Sequence, residues 1–268
     1  MLRLGLEDPR GRLWVDTLSY VRTSKPKVCI FENVEGLLHA NAKNAFDGIV
    51  RHLEKSGYIV EYQVLSTQVH GGLPQTRKRV YILAWLKAHV VSESFTWPCE
   101  LTKTIRLQQI VGKPSRGSDR LPVCPSSKTG KANVVKALKE LKSACPDIDL
   151  SEDSKHIVVI DVGCSERYAT WHIDEFPTIT AGRAKGCGWW LLPHRRNVSM
   201  EEMYLLQGFD PARIMDAAER AGVKKTALGM MVGNSMTLSI LERILPPALA
   251  RVGILPNKAV KDRWAALR

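Results

Sequence analysis

A carboxylate at the end of an apolar run is the first side chain in this sequence whose position suits chemistry. Glu32 follows the run 28–31, which is typical of a buried strand, and Asn33 comes next. A carboxylate at the end of such a strand lies at the edge of the sheet where α/β proteins bind ligands, and it can share a proton with a bound group. Taken alone, however, a Glu-Asn pair more often caps the next helix or faces water.

Two arginines form the second candidate group, within the segment Gln75-Thr76-Arg77-Lys78-Arg79. The sequence predicts a strand over 79–86 that these arginines open, and alternate residues of a strand project to the same side. Two guanidinium groups beside a crevice suit a negative oxygen or a phosphate. Spacing alone favours the alternative, which is a pair of exposed charges on an edge strand.

An amide near the end of the chain is the third candidate. Gly233-Asn234-Ser235 stands at the start of a helix predicted over 235–245. Free N–H groups at a helix N-terminus, together with the Asn234 amide, suit a ligand carboxylate. A plain N-cap is the alternative, because Asn and Ser are common caps that need no ligand.

The elements that must position these residues begin with an α/β pattern. Apolar residues at helical spacing predict a short helix over 13–21 and an amphipathic helix over 44–57. Apolar runs predict strands over 27–31, 58–67 and 79–86. The run at 27–31 is continuous, which indicates burial on both faces, as in a parallel sheet. The order of these elements suits an α/β sheet.

The composition of the chain changes after Lys87. Residues 88–130 are rich in Pro, Gly, Ser and Lys and show no sustained periodicity. The elements predicted beyond them are a helix over 132–141, strands over 157–162, 178–181 and 189–192, a glycine-rich turn at 182–188, and a helix capped by Ser199.

Charge and cysteine usage narrow the classes of function. The formal net charge is +12, and about two-thirds of the excess lies in 103–142. A concentrated basic region favours a polyanionic partner, although a solvated, solubilising face explains it equally well. The six cysteines include no Cys-x-x-Cys pair, so we expect neither a metal cluster nor a disulfide framework. No segment has the character of a signal peptide or a membrane span.

Four short motifs in a fixed order identify a family resemblance. They are Glu32-Asn33-Val34, the segment 75–79, Leu206-Gln207-Gly208-Phe209 and Val232-Gly233-Asn234-Ser235. Together with the stretch 5–38, they resemble the second half of the cytosine-5 DNA methyltransferases. The resemblance covers nearly the whole chain and is strongest over 5–85 and 176–245.

The resemblance implies roles for the catalytic candidates. Glu32 would bond N3 and the exocyclic amine of a flipped cytosine and assist attack at C6, while Asn33 would brace the loop that holds it. Arg79 would donate to the cytosine O2. Arg77 would hold the nucleophile loop or a phosphate.

Cofactor and DNA contacts follow from the same resemblance. Asn234 and Ser235 would contact the methionine end of S-adenosylmethionine. A threonine at the start of the recognition loop would bond the phosphate beside the flipped base, and the glycines after it would let the backbone approach the groove. The predicted contacts to double-stranded DNA are Gln75, Thr178, Arg183 and Lys185.

The implied fold is α/β. It is part of a Rossmann-like, S-adenosylmethionine-dependent methyltransferase sheet whose front strands are missing, with an inserted, mostly irregular or β target-recognition region. The implied domains are the rear part of the catalytic domain at 1–87, the target-recognition region at 88–194, a helical return at 195–256 and a basic tail at 257–268.

The nucleophile expected from the family is absent. The family reaction needs a thiolate at cytosine C6, and none of the six cysteines stands in the Pro-Cys loop context. Cys99 follows Pro98, but it lies downstream of the arginine strand. The glycine-rich cofactor loop is missing as well, so the S-adenosylmethionine site is incomplete, and the strand at 27–31 would present an unpaired edge.

We therefore expect a fragment of a methyltransferase, or one half of a split enzyme whose partner chain carries the front half. A catalytically inactive DNA-binding protein is the alternative from another class. An RNA-directed enzyme of the same family and a basic RNA-interacting protein also remain open. The expected location is the nucleus in a eukaryote or the cytoplasm in a bacterium.

Overall fold

The computed structural model describes residues 9–93, 95–112, 125–151, 154–264 and 266. The helices are α1 Pro9–Ser24, α2 Lys43–Lys55, α3 Leu107–Ile110, α4 Lys128–Ala144, α5 Ala181–Ala184, α6 Met200–Leu206, α7 Pro211–Arg220, α8 Lys225–Asn234 and α9 Leu238–Arg251. The strands are β1 Val28–Val34, β2 Tyr58–Ser66, β3 Gln75–Thr76, β4 Lys78–Leu86, β5 Val158–Asp161, β6 Trp171–Ile173, β7 Phe176–Pro177, β8 Trp189–Leu192 and β9 Arg196–Asn197. The fold is mixed α/β, as predicted.

The chain forms two compact units, and their limits differ from the predicted domains. The first unit runs to Ser66 and also contains Lys78–Glu100 and Ile240–Ala266. The second unit contains Thr67–Arg77 and Leu101–Ser239. The predicted boundary after residue 87 is therefore displaced to residue 100, and most of the predicted helical return belongs to the second unit.

The first unit is built on a three-stranded sheet in the order β1-β4-β2. Both pairings are antiparallel, so the prediction of a parallel arrangement is wrong. The apolar run in β1 correctly indicates that both faces are covered, because Cys29 packs with α2 on one face while Val28 and Ile30 pack beside Trp85 on the other. Burial of a run does not determine strand direction, which depends on the connections that follow. Among the described residues, β1 pairs with no strand other than β4.

Local signals set the ends of the first helices. Helix α2 ends at Lys55 with Ser56 as its C-cap, and Gly57, whose φ is +93°, follows as the predicted stop directly before β2. Lys25-Pro26 follows the last residue of α1. The predicted basic tail is partly docked, since the Arg243 guanidinium lies 3.0 Å from the Asp262 carboxylate and the Trp264 indole donates to Glu242.

The second unit contains a four-stranded antiparallel sheet in the order β6-β5-β8-β9. Helix α4 packs on it through Val134, Ala137 and Leu141. The strand predicted at 178–181 is wrong. Strand β7 ends at Pro177, and the predicted glycine-rich hairpin instead begins with the short helix α5.

The residues that the structure describes include neither a helix suited to span a membrane nor a cluster suited to hold a metal ion. No helix in this part of the chain is both long and apolar enough to cross a bilayer. The same residues include no cluster of three or more His, Cys, Asp or Glu side chains that could hold a metal ion.

Candidate functional site

Glu32 and Arg79 meet on one face of the sheet in the first unit. Glu32 lies opposite Tyr81 in the β1–β4 register, and Val34 lies opposite Arg79. Directly paired residues of antiparallel strands share a face, as do alternate residues of one strand. The Glu32 Oε1 atom is 3.3 Å from the Arg79 Nε atom, and the two side chains are 13% and 15% exposed. The structure thus brings the predicted carboxylate and one predicted guanidinium into a mostly enclosed ion pair.

This face changes from apolar to polar along the strands. Val28 and Ile30 pack with Leu83 and Trp85, and residues 248 and 252 cover that end. The next alternate positions carry Glu32, Arg79 and Tyr81, with Gln63 of β2 opposite Tyr81. The ion pair therefore lies directly beside the last apolar side chains of this sheet face.

Tyr81 and Gln63 are residues that sequence reasoning missed. Tyr81 is completely buried and is paired in register with both Glu32 and Gln63. The sequence contained a signal that Tyr81 lies on the same face as Arg79, because residues i and i+2 of a strand share a face. Gln63 could be placed on this face only from the register between β2 and β4, and no local sequence pattern gives that register.

Asn33 lies on the opposite face of β1 from Glu32. Its Oδ1 atom accepts a hydrogen bond from the Val34 backbone N–H at 2.8 Å. This bond fixes the backbone directly after Glu32, ahead of the 3-10 turn Glu35–Leu38. The bracing function that the resemblance implies for Asn33 stays a prediction.

Arg77 does not lie beside Arg79 in the strand. It precedes β4 and belongs to the second unit, where its side chain is buried. Its two terminal nitrogens donate to the Ile179 carbonyl at 3.1 Å and to the Ser235 carbonyl at 3.0 Å. The predicted same-side arrangement is wrong, and Arg77 acts as an internal crosslink rather than as an exposed phosphate contact.

Gln75 is also an internal residue. Its side chain is completely buried, its amide nitrogen donates to the Leu206 carbonyl at 2.9 Å, and its amide oxygen accepts from the Ile179 N–H at 3.5 Å. A side chain with no exposed surface cannot touch DNA from outside, so the DNA-binding assignment of Gln75 does not fit this structure.

Gln207 links three parts of the second unit. Its amide nitrogen donates to the Val232 carbonyl at 3.3 Å, and its amide oxygen accepts from the Thr237 hydroxyl at 3.1 Å. The Thr237 oxygen also lies 2.8 Å from the Thr67 hydroxyl. Because Thr237 has a single hydroxyl proton, Thr67 must be the donor in that pair. The Leu-Gln-Gly-Phe segment thus contributes a buried amide that holds together residues 67, 232 and 237.

The predicted DNA contacts near α5 differ in accessibility. The Thr178 hydroxyl donates to the Thr76 carbonyl at 2.7 Å, so its proton is not free for a phosphate. The Arg183 Nε lies 3.0 Å from the Asp161 carboxylate, and a third of the Arg183 side chain is exposed. Lys185, at the end of α5, is exposed. Lys185 and the exposed part of Arg183 remain suited to an external anion.

Asn234 and Ser235 lie at the end of a helix rather than at its start. Asn234 is the last residue of α8, Ser235 is the C-cap, and the Ser235 hydroxyl donates to the Val232 carbonyl at 2.8 Å. The predicted helix N-terminus at this point is therefore wrong. A helix C-terminus presents carbonyl oxygens and a partial negative charge, which disfavour a carboxylate. Asn234 is exposed, and its predicted contact with the cofactor stays a prediction.

Gly229 and Gly233 allow α5 and α8 to pack backbone against backbone. A Cβ atom on Gly233 would lie 2.2 Å from the Ala181 nitrogen, and one on Gly229 would lie 2.5 Å from the Ala184 oxygen. The two glycines are four residues apart and so occupy one face of α8. The close approach of α5 to α8 thus explains why the Val-Gly-Asn-Ser motif contains a glycine at position 233.

A family model described as C-5 cytosine-specific DNA methylase matches residues 2–247. The chain belongs to this family. Among curated relatives, it is 38% identical over 106 residues to the type II methyltransferase M.Bsp6I of Bacillus sp. (strain RFL6), which covers 39% of this chain and 34% of the relative. It is 44% identical over 79 residues to M.NgoFVII of Neisseria gonorrhoeae, covering 30% and 21%. The match thus spans about a third or less of these relatives' length.

Solved methyltransferase structures share the fold. One is a putative DNA modification methyltransferase encoded within an E. coli prophage, with a TM-score of 0.55, 15% identity and coverage of 91% of this chain and 75% of that one. Another is S. pombe Dnmt2 methyltransferase, with a TM-score of 0.52, 14% identity and coverage of 93% and 76%. At these identities the comparison concerns the fold alone.

Burial disfavours the thiolate form of three cysteines in this chain. Burial raises the pKa of the Cys29 thiol to about 11, against the opposing hydrogen bond with Tyr58. Burial also raises the pKa values of Cys164 and Cys187. These thiols stay protonated near neutral pH, and the thiolate is the nucleophilic form. Cys124 lies outside the described residues.

Proposed function

We propose that this chain is part of an enzyme that transfers a methyl group from S-adenosylmethionine to C5 of a cytosine flipped out of double-stranded DNA. Membership of the family supports the reaction class. The observation that carries the proposal for this chain is the ion pair of Glu32 and Arg79 at the polar end of the sheet face. The sheet is proposed to be the rear part of a Rossmann-like methyltransferase sheet.

The pair is chemically complementary to one edge of cytosine. A carboxylate can accept from the exocyclic amine and share a proton with N3, and a guanidinium can donate to O2. In the absence of a base, the two side chains stabilise each other at 3.3 Å. A flipped base would exchange that contact for its own hydrogen bonds, which is how enzymes read an extruded base.

Glu32 also has a role during the reaction. When a thiolate adds to C6, a new S–C6 bond forms and negative charge develops on the ring toward N3 and O2. A proton shared by Glu32 at N3 and the positive charge of Arg79 near O2 stabilise that charge. The electron-rich C5 would then take the methyl group that S-adenosylmethionine supplies when bound, with formation of the C5–methyl bond, breakage of the donor's methyl–sulfur bond and departure of S-adenosylhomocysteine. Loss of the C5 proton and breakage of the S–C6 bond would then release 5-methylcytosine and the thiolate.

The thiolate and most of the cofactor site are proposed to come from polypeptide other than the 268 residues of this sequence. The raised pKa values of Cys29, Cys164 and Cys187 support this assignment. For the cofactor, Asn234 and Ser235 stand at a helix C-terminus, which does not by itself suit a carboxylate. A complementing chain is one form that the missing part could take.

The proposal is tested by joining this chain to the amino-terminal segment of M.Bsp6I and measuring 5-methylcytosine in duplex DNA. We expect methyl transfer by the joined protein and a loss of about 100-fold or more with Glu32→Gln, since a positioned acid or base contributes about that factor. Glu54→Gln is the matched control, because Glu54 is an exposed carboxylate on α2. A near-normal rate with Glu32→Gln would remove Glu32 from the mechanism.

The chain on its own provides a second test. With a duplex containing 5-fluorocytosine, which traps the covalent adduct of an active thiolate, we expect no denaturation-resistant complex. A stable adduct would show that one of the cysteines here is the nucleophile.

A non-catalytic DNA-binding protein is the second candidate, and the raised thiol pKa values favour it as well. It predicts duplex binding with a steep salt dependence. It also predicts that the joined protein transfers no methyl group. Transfer by the joined protein with dependence on Glu32 would rule this candidate out.

A further inference from the structure

Helix α4 of the second unit has one buried side and one basic side. Its residues that face the interior are Gly130, Asn133, Val134, Ala137 and Leu141. At 3.6 residues per turn, Lys128, Lys131, Lys139 and Lys142 fall within an arc of about 80° on the opposite side. All four are exposed, as is Val135, in the middle of the arc, at 68%. These four lysines form what is here called the lysine stripe.

The stripe does not serve the stability of the helix. Lys128 and Lys131 lie in the first turn, which contains no acidic residue, and positive charge there opposes the helix dipole. Within the described parts of the chain, no carboxylate lies within ion-pair distance of any of the four. Lys136, which lies off the stripe, does have partners, the Glu140 carboxylate at 3.8 Å and the Glu166 carbonyl at 2.8 Å.

The chemistry of the stripe favours a nucleic-acid backbone over other partners. Protein–protein interfaces are depleted in lysine, whereas protein–DNA interfaces are strongly basic. A membrane-surface helix would need an exposed apolar face, but the apolar side of α4 is buried against β5 and β8. Lysine acts as a point charge without a fixed hydrogen-bonding fork, so it suits phosphates rather than base edges.

The length and polarity of α4 fit a duplex. From Lys128 to Lys142 the helix rises about 21 Å, and duplex DNA presents one negative charge per about 1.7 Å of its axis. The positive end of the helix dipole lies beside Lys128 and Lys131 and adds to the attraction for phosphate. We infer that the lysine stripe of α4 binds the phosphate backbone of duplex DNA, an assignment that rests on the proposed function and gives the second unit a sequence-independent anchor.

The test compares two variants of the full chain that lose the same charge. The stripe variant combines Lys128→Gln, Lys131→Gln, Lys139→Gln and Lys142→Gln. The control combines Lys55→Gln, Lys87→Gln, Lys224→Gln and Lys258→Gln, which change four exposed lysines outside α4. Binding to a 30-base-pair DNA of mixed sequence is measured over a range of salt concentrations, and circular dichroism checks that helix content is unchanged.

We expect the stripe variant to bind at least about tenfold more weakly near 0.15 M salt, with a salt slope reduced by about 3 to 4, since each phosphate contact contributes about 0.9. The control variant should change by less than half as much. Equal weakening of both variants would overturn the inference, because it would show that only net charge matters. Unchanged binding by the stripe variant would overturn it as well.

Two competing partners are tested on the same samples. Tighter, stripe-dependent binding to duplex RNA of the same length, or binding to polyglutamate without binding to DNA, would overturn the assignment to DNA. Val135→Glu places a negative charge inside the stripe and should also weaken DNA binding by several fold. The methyl-transfer assay of the joined protein is a separate measurement. The inference about the lysine stripe can therefore be overturned while the proposed function stands, and the proposed function can be overturned while the stripe still binds DNA.

Discussion

The motif residues of the two units use their polar groups in different ways. In the first unit, Glu32 and Arg79 bond side chain to side chain and keep a small exposed surface. In the second unit, Gln75, Arg77 and Gln207 are buried and bond mainly to backbone carbonyls. A side-chain pair can exchange partners when a ligand arrives, whereas a side chain bonded to carbonyls fixes a backbone conformation.

The segment 75–79 contains both kinds of residue. Its first and third residues are internal crosslinks of the second unit, and its fifth forms the ion pair of the first unit. One short motif therefore contributes both to the interior of the second unit and to the ion pair of the first. Substitutions of the scaffold residues should reduce stability, and substitutions of the ion pair should reduce activity.

The largest effect on stability should come from the contact of α5 with α8. Gly233→Ala places a Cβ atom within 2.2 Å of backbone, which neither helix can relieve by a side-chain rotation, and we expect a loss of about 3 kcal/mol or more. Gly182→Ala on α5 is the control, because no atom lies within 4 Å of its added Cβ. Urea unfolding of both variants tests the prediction, and equal midpoints would contradict the close packing.

Replacing each of two nearby arginines with lysine should affect stability in one case and methyl transfer in the other. Arg77→Lys loses one of two carbonyl bonds in a buried position, and we expect the second unit to lose about 2 kcal/mol. Arg79→Lys keeps a positive charge beside Glu32 and should cost less than about 1 kcal/mol. In the joined protein, it should lower methyl transfer by at least about tenfold, because the guanidinium geometry is lost.

Amide hydrogen exchange and the methylation assay measure the two effects on the same proteins. The contrast between the units would be lost if Arg79→Lys destabilised the protein as much as Arg77→Lys while leaving methylation intact.

The smallest effect concerns pH. Burial lowers the pKa values of His172 and His194 in the second unit, with the charge of Arg196 adding to the shift of His194. The unfolded state then binds more protons than the folded state below about pH 6.5, so the second unit should lose stability as the pH falls below that value.

In the first unit, burial raises the pKa of Cys29 to about 11 and that of Tyr58 to about 12. These groups contribute stability that is lost as the pH rises from about 9 to 12. The predicted loss of stability at low pH is tested by amide hydrogen exchange at pH 7.5 and 5.0, corrected for intrinsic rates. The protection of β5 and β8 in the second unit is compared with that of β1 and β4 in the first. Equal acid destabilisation of both sheets would contradict the assignment to His172 and His194.

Much of the local structure could be predicted from the sequence. The strands at β1, β2 and β4, helix α2 with its stop at Gly57, and the cap at Ser199 all follow from the spacing of apolar residues and from turn and cap chemistry. Ser199 accepts from the Glu202 N–H, and Glu202 bonds back to the Ser199 N–H. These features depend on residues within a few positions of each other, so a local pattern is sufficient.

The sequence by itself determined that a carboxylate follows a buried strand and that an arginine stands near the start of another strand, because both are local facts. Only the tertiary structure decided that β1 runs antiparallel to β4, that Asn234 ends a helix, and that Arg77 is an internal crosslink. The bonds of Arg77 join residues 102 and 158 positions apart. No local pattern encodes such pairings, because they are set by the packing of distant segments and by the need to satisfy buried polar groups.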